Sequence, residues 1–248
     1  MFLSRFRRST AQPASNRVPD GLRVYAIGDV HGRMDLLQPL LARIAEDSVS
    51  AARFQIVFLG DYIDRGSDSR SVLETLIAGK RSREWVCLKG NHEAMLLSAL
   101  DGTAEWEFWL ANGGLETLFS YGISARELMA SGRSHELHDA VLAAVPADHI
   151  DFLRNLDMSL TVGDYFFCHA GIRPGVALDR QVEGDLLWIR EAFTQSNVSH
   201  GKRVVHGHTP VMEAEILSNR INIDTGAYLT NRLSCAVLEG DEVRIIHT

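Results

Sequence analysis

From residue 22 onward, short apolar runs rich in β-branched residues alternate with longer stretches whose apolar positions recur every three or four residues. Leu22–Ile27 (LRVYAI) reads as a strand, and 34–46 carries Leu36, Leu37, Leu40, Leu41 and Ile44 at helical spacing. Residues 54–59 (FQIVFL) predict a second strand, and Val72, Leu73, Leu76 and Ile77 mark the helix after it. A third strand at 85–88 and a third helix at 93–100 complete a β-α-β-α-β-α series. Such a series implies crossover connections and a largely parallel sheet covered by helices.

Residues 103–157 change character: no strand pattern is present, and Pro146 sits ahead of an amphipathic run at 148–156, as a first-turn proline does. The segment predicts a helical cap. Beyond it, strand patterns follow closely at Ser159–Val162, Tyr165–Cys168, 203–205, 214–217, 220–223, 233–238 and 243–246. Their spacing predicts hairpins and a second, mixed sheet packed on the first.

Residues 1–20 differ again, with Arg5, Arg7, Arg8 and Arg17 and little periodicity. They are expected to form a flexible basic arm ahead of one catalytic domain at 21–248. Phe2, Leu3 and Phe6 beside the arginines give the arm at most a weak peripheral contact with an anionic surface. It lacks the apolar core of about 7–15 residues that a secretory signal carries.

The 248 residues, 46% hydrophobic and 23% charged, describe an ordinary globular chain rather than a disordered or fibrous one. No apolar run approaches the roughly 18 residues that span a bilayer, which argues against an integral membrane protein. A net charge of −7 excludes a broad basic face for nucleic acid. Three cysteines, Cys87, Cys168 and Cys235, lie within apolar segments and read as buried thiols of a reducing, cytoplasmic compartment.

The chemistry concentrates at strand ends. GDVHG (28–32), GDYIDRG (60–66) and GNHE (90–93) follow the first three strands; HAG (169–171) and HGH (206–208) follow two later ones. One such cluster is ordinary turn chemistry, although Gly-Asp-x-His-Gly is expected by chance only about 0.004 times in a chain of this composition. Five clusters in register with five strands place a site at the edge where open α/β sheets bind ligands. Half of the ten histidines lie there. His135 and His138 share a helix face but find no third ligand.

Carboxylates, an amide and imidazoles without thiolate suit divalent ions such as Mn²⁺, Fe²⁺ or Zn²⁺, and two such ions can clamp an in-line displacement at phosphorus. Asp29 and His31, two apart, can point to one side, Asp61 is a natural bridge, and Asn91, His169 and His208 can hold a second ion. Arg65 is a candidate clamp for phosphate oxygens. His92 is placed to donate a proton, with Asp64 orienting its ring.

These residues resemble those of the metallophosphoesterase superfamily, and within it the phosphoprotein phosphatases of bacterial and bacteriophage-lambda type. The likeness extends to WLANGG (109–114), LWIRE (187–191), GHTP (207–210) and IDTGA (223–227), and covers roughly residues 22–240. It implies a four-layer α/β/β/α sandwich of calcineurin-like type with two divalent ions, often Mn²⁺. By the family pattern Asp29, His31 and Asp61 hold the first ion, Asp61 bridges, and Asn91, His169 and His208 complete the second. His92 is then the acid supported by Asp64, and Arg65, Arg190 and Asn91 bind phosphate. From spacing alone Arg190 reads as a helix-surface residue. A metal-bridging hydroxide would attack phosphorus directly.

The resemblance implies a phosphorylated protein or peptide as substrate, with phosphoserine or phosphothreonine foremost and phosphotyrosine also possible chemically. HAG, where eukaryotic members usually show HGG, also occurs in symmetrical diadenosine tetraphosphate hydrolases, so dinucleoside polyphosphates are the alternative. A metal-free binding scaffold on the same fold would show eroded ligands, and here none is missing.

Overall fold

In the computed structural model, which describes residues 16–82 and 85–248, two five-stranded mixed sheets lie face to face. The first has the order β10-β9-β1-β2-β3, built from β1 (Leu22–Ile27), β2 (Arg53–Phe58), β3 (Trp85–Cys87), β9 (Ser234–Glu239) and β10 (Glu242–His247). The second runs β4-β5-β6-β8-β7, from β4 (Ser159–Val162), β5 (Tyr165–Cys168), β6 (Arg203–His206), β7 (Glu215–Ile216) and β8 (Arg220–Asn222).

Period-two alternation explains the layering. Along β1, Tyr25 and Ile27 join an apolar cluster with the helices, while Val24 and Ala26 join one between the sheets with Tyr165, Phe167, Val205 and Ile221. Strand β2 divides the same way, with Ile56 and Phe58 on one side and Val57 on the other. A third cluster covers the outer face of the second sheet, where Phe166, Cys168 and Val204 meet Leu186, Ile189 and Phe193. Helices therefore flank both sheets, giving the expected four layers.

The parallel core β1-β2-β3 forms as the sequence predicts, through α1 (Met34–Ser48) and α2 (Ser69–Ser82). The first sheet is mixed because β9 and β10 return to it: β9 pairs antiparallel with β1, and β10 with β9. The sequence reading placed both in the second sheet, since hairpin spacing fixes which strands are neighbours but not which sheet receives them. The strand expected at 214–217 shortens to Glu215–Ile216.

Helix α3 (Asn91–Leu100) starts two residues earlier than the periodicity suggests. The supposed cap comprises α4 (Trp106–Trp109), a turn over Leu110–Gly114, α5 (Leu115–Ser120), α6 (Ala125–Ala130), α7 (Leu137–Ala144) and α8 (Ala147–Arg154). Its core is continuous with that of the first sheet: Trp109, Leu118, Val141 and Leu153 share one apolar cluster with Leu37, Leu76 and Phe58. Three short helices, α9 (Glu183–Trp188), α10 (Glu191–Thr194) and α11 (Ala227–Thr230), follow the later strands.

Residues 1–15 of the expected arm lie outside the described residues, and its remainder is docked. Val18 is buried, its N–H donates to Gly240 O, and Asp164 N–H donates to Arg17 O. Among the described residues no helix is long and apolar enough to cross a membrane. The three cysteines are free and buried.

Gly79, inside α2, packs on the buried Trp85 ring, which a β-carbon would overlap. Alanine there gains about 1 kcal/mol of helix propensity and costs about 1–3 kcal/mol in overpacking. Gly79→Ala is expected to lower the urea midpoint, through a net loss of stability of up to about 2 kcal/mol. A raised midpoint would show that the ring yields.

Candidate active site

The five glycine-containing clusters meet at one end of the paired sheets, because each follows a strand whose neighbours are hydrogen-bonded to it. Gly60, at φ 102°, lets the β2 and β3 loops touch: a β-carbon there would lie 2.6 Å from Gly90 Cα. Six non-glycine residues among those described have positive φ, and five are His31, Asp61, Asp64, Arg65 and His208. Each such conformation costs about 1–3 kcal/mol and persists only where the surroundings enforce it.

Glu93 supplies much of that enforcement. Its fully buried carboxylate accepts the N–H groups of Gly90 (2.8 Å), Asp61 (2.9 Å), Tyr62 (2.7 Å) and Ile63 (3.3 Å). The side chain thereby caps α3 and clamps the 60–66 loop against it. Burial and the charge of Asp61 push the Glu93 carboxyl up to about 7, against the pull of the backbone donors.

Asp61 is the hub of two potential metal-holding groups, His31–Asp61–His92 and Asp61–His169–His208. Its Oδ2 lies 3.5 Å from His31 Nε2, and its Oδ1 lies 3.4 Å from His169 Nε2. His31 Nδ1 bonds Ile63 O and His169 Nδ1 bonds Leu59 O, both at 2.9 Å. A carbonyl only accepts, so each Nδ1 carries the proton and each neutral ring turns an Nε2 lone pair to the centre. Burial keeps the rings neutral, holding His31 near about 3 and His208 near about 2.

Asn91 Oδ1 stands 2.9 Å from His169 Nε2 and 2.8 Å from His208 Nδ1, and His208 Nε2 is buried without a protein partner. Converging ring nitrogens with carboxylate and amide oxygens fit a divalent cation, which offsets the cost of packing so many acceptors together. The expected set is gathered at one end of the sheets. Asp29 belongs to neither three-residue group; its oxygens accept His208 N–H at 3.2 and 3.3 Å, and the charge of Asp224 acts on it. Burial raises both carboxyls, Asp224 to about 6, and their mutual charge adds to this for Asp29.

His92 and Asp64 form the expected pair, His92 Nδ1 lying 2.7 Å from Asp64 Oδ2. Burial opposes protonation of His92, but the charges of Asp61 and Asp64 outweigh it and raise its pKa. Arg65 Nη1 donates to His31 Nε2 at 3.0 Å, and its guanidinium lies 4.5 Å from the Tyr228 ring centre. Arg190 precedes α10 and lines the same cavity, so it is a site residue and not a helix-surface one. That cavity, about 160 Å³, is bounded by Asp61, Arg65, Asn91, His92, Arg190, His208, Pro210 and Tyr228.

Reading the sequence for ligands missed Glu93, Asp224, Tyr228, Trp109 and Thr117. Glu93 stands inside GNHE, Trp109 opens WLANGG and Asp224 lies in IDTGA, so those motifs were the signal. Tyr228 and Thr117 had none.

The sequence profile of the calcineurin-like phosphoesterase family matches residues 22–246. The chain is 29% identical over 221 residues to serine/threonine-protein phosphatase 2 of Escherichia coli (strain K12), covering 85% of this chain and 90% of that protein. It is 26% identical to the asymmetrical bis(5'-nucleosyl)-tetraphosphatase PrpE of Oceanobacillus iheyensis, covering 86% and 87%. A solved chain provisionally assigned as a diadenosine tetraphosphatase superposes with a TM-score of 0.62 at 20% identity, covering 95% and 96%, a likeness of fold.

Proposed function

The chain belongs to the calcineurin-like phosphoesterase family, and from that membership we propose that it hydrolyses phosphomonoesters on phosphoserine or phosphothreonine proteins. The observation carrying this reading is that one small polar cavity is lined together by His92, Arg65, Arg190 and the donor cluster of Asp61, Asn91 and His208. A cavity of about 160 Å³ takes up a phosphoryl group and leaves the body of the substrate across the rim of Pro210 and Tyr228. A phosphoryl group on a large carrier suits that shape.

Asp29, His31, Asp61, Asn91, His169 and His208 would hold two divalent ions, Mn²⁺ first among them. When bound, these ions supply Lewis acidity toward the phosphoryl oxygens and the attacking water. Arg65 and Arg190 bind the remaining phosphoryl oxygens, and their positive charge matches the charge that grows there during displacement. His92 Nε2 gives its proton to the leaving oxygen as the P–O bond breaks, so the product leaves as an alcohol. Asp64 keeps the ring turned for that transfer through Nδ1.

Dinucleoside polyphosphate hydrolysis is the second reading, favoured by the relative that carries that activity in its name. Turnover of phosphoserine, phosphothreonine and phosphotyrosine peptides should be compared with that of diadenosine tetraphosphate, each with Mn²⁺, Fe²⁺ and Zn²⁺. We expect the highest kcat/KM for phosphoserine or phosphothreonine peptides with Mn²⁺, and loss of turnover on chelation. Faster cleavage of the dinucleotide would overturn the substrate class. Metal-replete protein inert to every substrate would restore the scaffold reading.

A further inference from the structure

Asp64 is fully buried, and three donors converge on its carboxylate. His92 Nδ1 (2.7 Å) and Trp109 Nε1 (2.8 Å) both reach Oδ2, and the Thr117 hydroxyl donates to Oδ1 at 2.7 Å. Thr117 Oγ1 also accepts the Asp64 N–H at 2.8 Å and lies 3.0 Å from Ser69 Oγ. Trp109 and Thr117 come from the helical layer, 45 and 53 positions along the chain from Asp64.

A carboxylate turns easily about its last torsion, which is broad and roughly two-fold. One bond to His92 would leave that rotation free. A second donor on the same oxygen and a third on the other fix the plane, while Thr117 holds the left-handed backbone of Asp64 (φ 74°) from the same atom. Trp109 is itself immobilised: it is 1% exposed, and Gly114 packs so closely that a β-carbon would lie 2.6 Å from its ring. The adjoining Gly113 accepts the Arg65 N–H at 3.1 Å, and a β-carbon there would lie 2.8 Å from Arg65 N. The WLANGG turn thus contacts the partner of the proton donor and the phosphate clamp at once.

We propose that Trp109 and Thr117 are positioning residues for the reaction, fixing Asp64 so that it holds His92 with Nε2–H aimed at the leaving oxygen. During the step the proton passes from His92 Nε2 to that oxygen, which takes the electron pair of the broken P–O bond; Trp109 and Thr117 keep their protons. The inference rests on the reading of His92 as proton donor.

Trp109→Phe keeps an aromatic ring but removes the N–H and part of the indole, Thr117→Val keeps the shape and removes the hydroxyl, and Thr117→Ser restores it. With Mn²⁺, kcat for a phosphoserine peptide should fall about tenfold in Trp109→Phe and in Thr117→Val, against at most about twofold for p-nitrophenyl phosphate, whose leaving group needs little protonation. KM and metal content should not change, and Thr117→Ser should recover the rate. In a His92→Asn background neither substitution should slow the peptide reaction further, because the residue through which both act is gone. Equal slowing of both substrates, or effects that multiply in the His92→Asn background, would show a structural role and overturn the proposal. Thr117→Val carries the test independently should Trp109→Phe not fold. If His92→Asn itself slows both substrates alike, the proton-donor reading falls and the inference with it. If His92→Asn is selective and neither Trp109→Phe nor Thr117→Val is, only the positioning role falls.

Discussion

Asp61→Asn is expected to abolish most turnover and to weaken divalent-metal binding by more than about a hundredfold. The scale follows from geometry: changing a residue that merely orients a metal ligand costs about 10–100-fold in affinity or activity, and Asp61 belongs to both potential metal-holding groups. Its two oxygens are divided between them, Oδ2 toward His31 and Oδ1 toward His169. The amide removes one negative charge from the centre and turns N–H donors toward lone pairs of His31 or His169, which a cation would otherwise meet. Metal titration by calorimetry and metal content after dialysis measure the first effect, and phosphopeptide turnover measures the second. Two ions bound with wild-type affinity and an unchanged rate would remove Asp61 from its bridging position. The metal-free variant should fold, since Asn is isosteric and the Glu93 clamp bonds backbone groups.

The parts of this site legible in the sequence are those coded locally. Each ligand cluster follows its strand within a few residues, and a glycine beside an aspartate or histidine at a strand end can be seen without knowing the fold. The pairing of His92 with Asp64 was also readable, because both belong to motifs already singled out. Contacts made by packing were not readable. Trp109 has the spacing of a core aromatic and does join the core, and only the tertiary arrangement brings its N–H to Asp64. Arg190 looked like surface because its neighbours form short helices, and the loop between α9 and α10 turns it into the cavity.

Backbone conformation was the other hidden layer. Glycine advertises positive φ, but His31, Asp61, Asp64, Arg65 and His208 adopt it with side chains that gave no such signal. Asp29, whose spacing from His31 suggests a shared ligand set, also accepts the N–H of His208 and feels the charge of Asp224, neighbours that its own motif does not announce. Gly28 packs so closely on Ile223 that a β-carbon would lie 2.5 Å from its carbonyl oxygen, which places IDTGA beside GDVHG and makes that contact possible.

His92→Asn should leave Asp29, His31, Asp61, Asn91, His169 and His208 able to hold their ions and yet slow the hydrolysis of alkyl phosphates by about 10²–10⁴-fold, the usual contribution of a general acid. Asparagine fits the position, since residue 92 lies in the first turn of α3, where Gly90 and Glu93 fix the backbone. The bond from residue 92 to Asp61 Oδ1 comes from the main chain at 3.1 Å, so the substitution keeps that contact with the hub. What disappears is the transferable proton on Nε2. Leaving groups differ in how much they need it: a serine alkoxide must be protonated as it departs, whereas a nitrophenolate departs stable as the anion. The loss should therefore be largest for phosphoserine peptides, at most about tenfold for p-nitrophenyl phosphate, and seen in kcat rather than KM. Equal slowing of both substrates, with metal content intact, would move His92 from proton transfer to a purely electrostatic role, and the proton for the leaving oxygen would have to come from solvent.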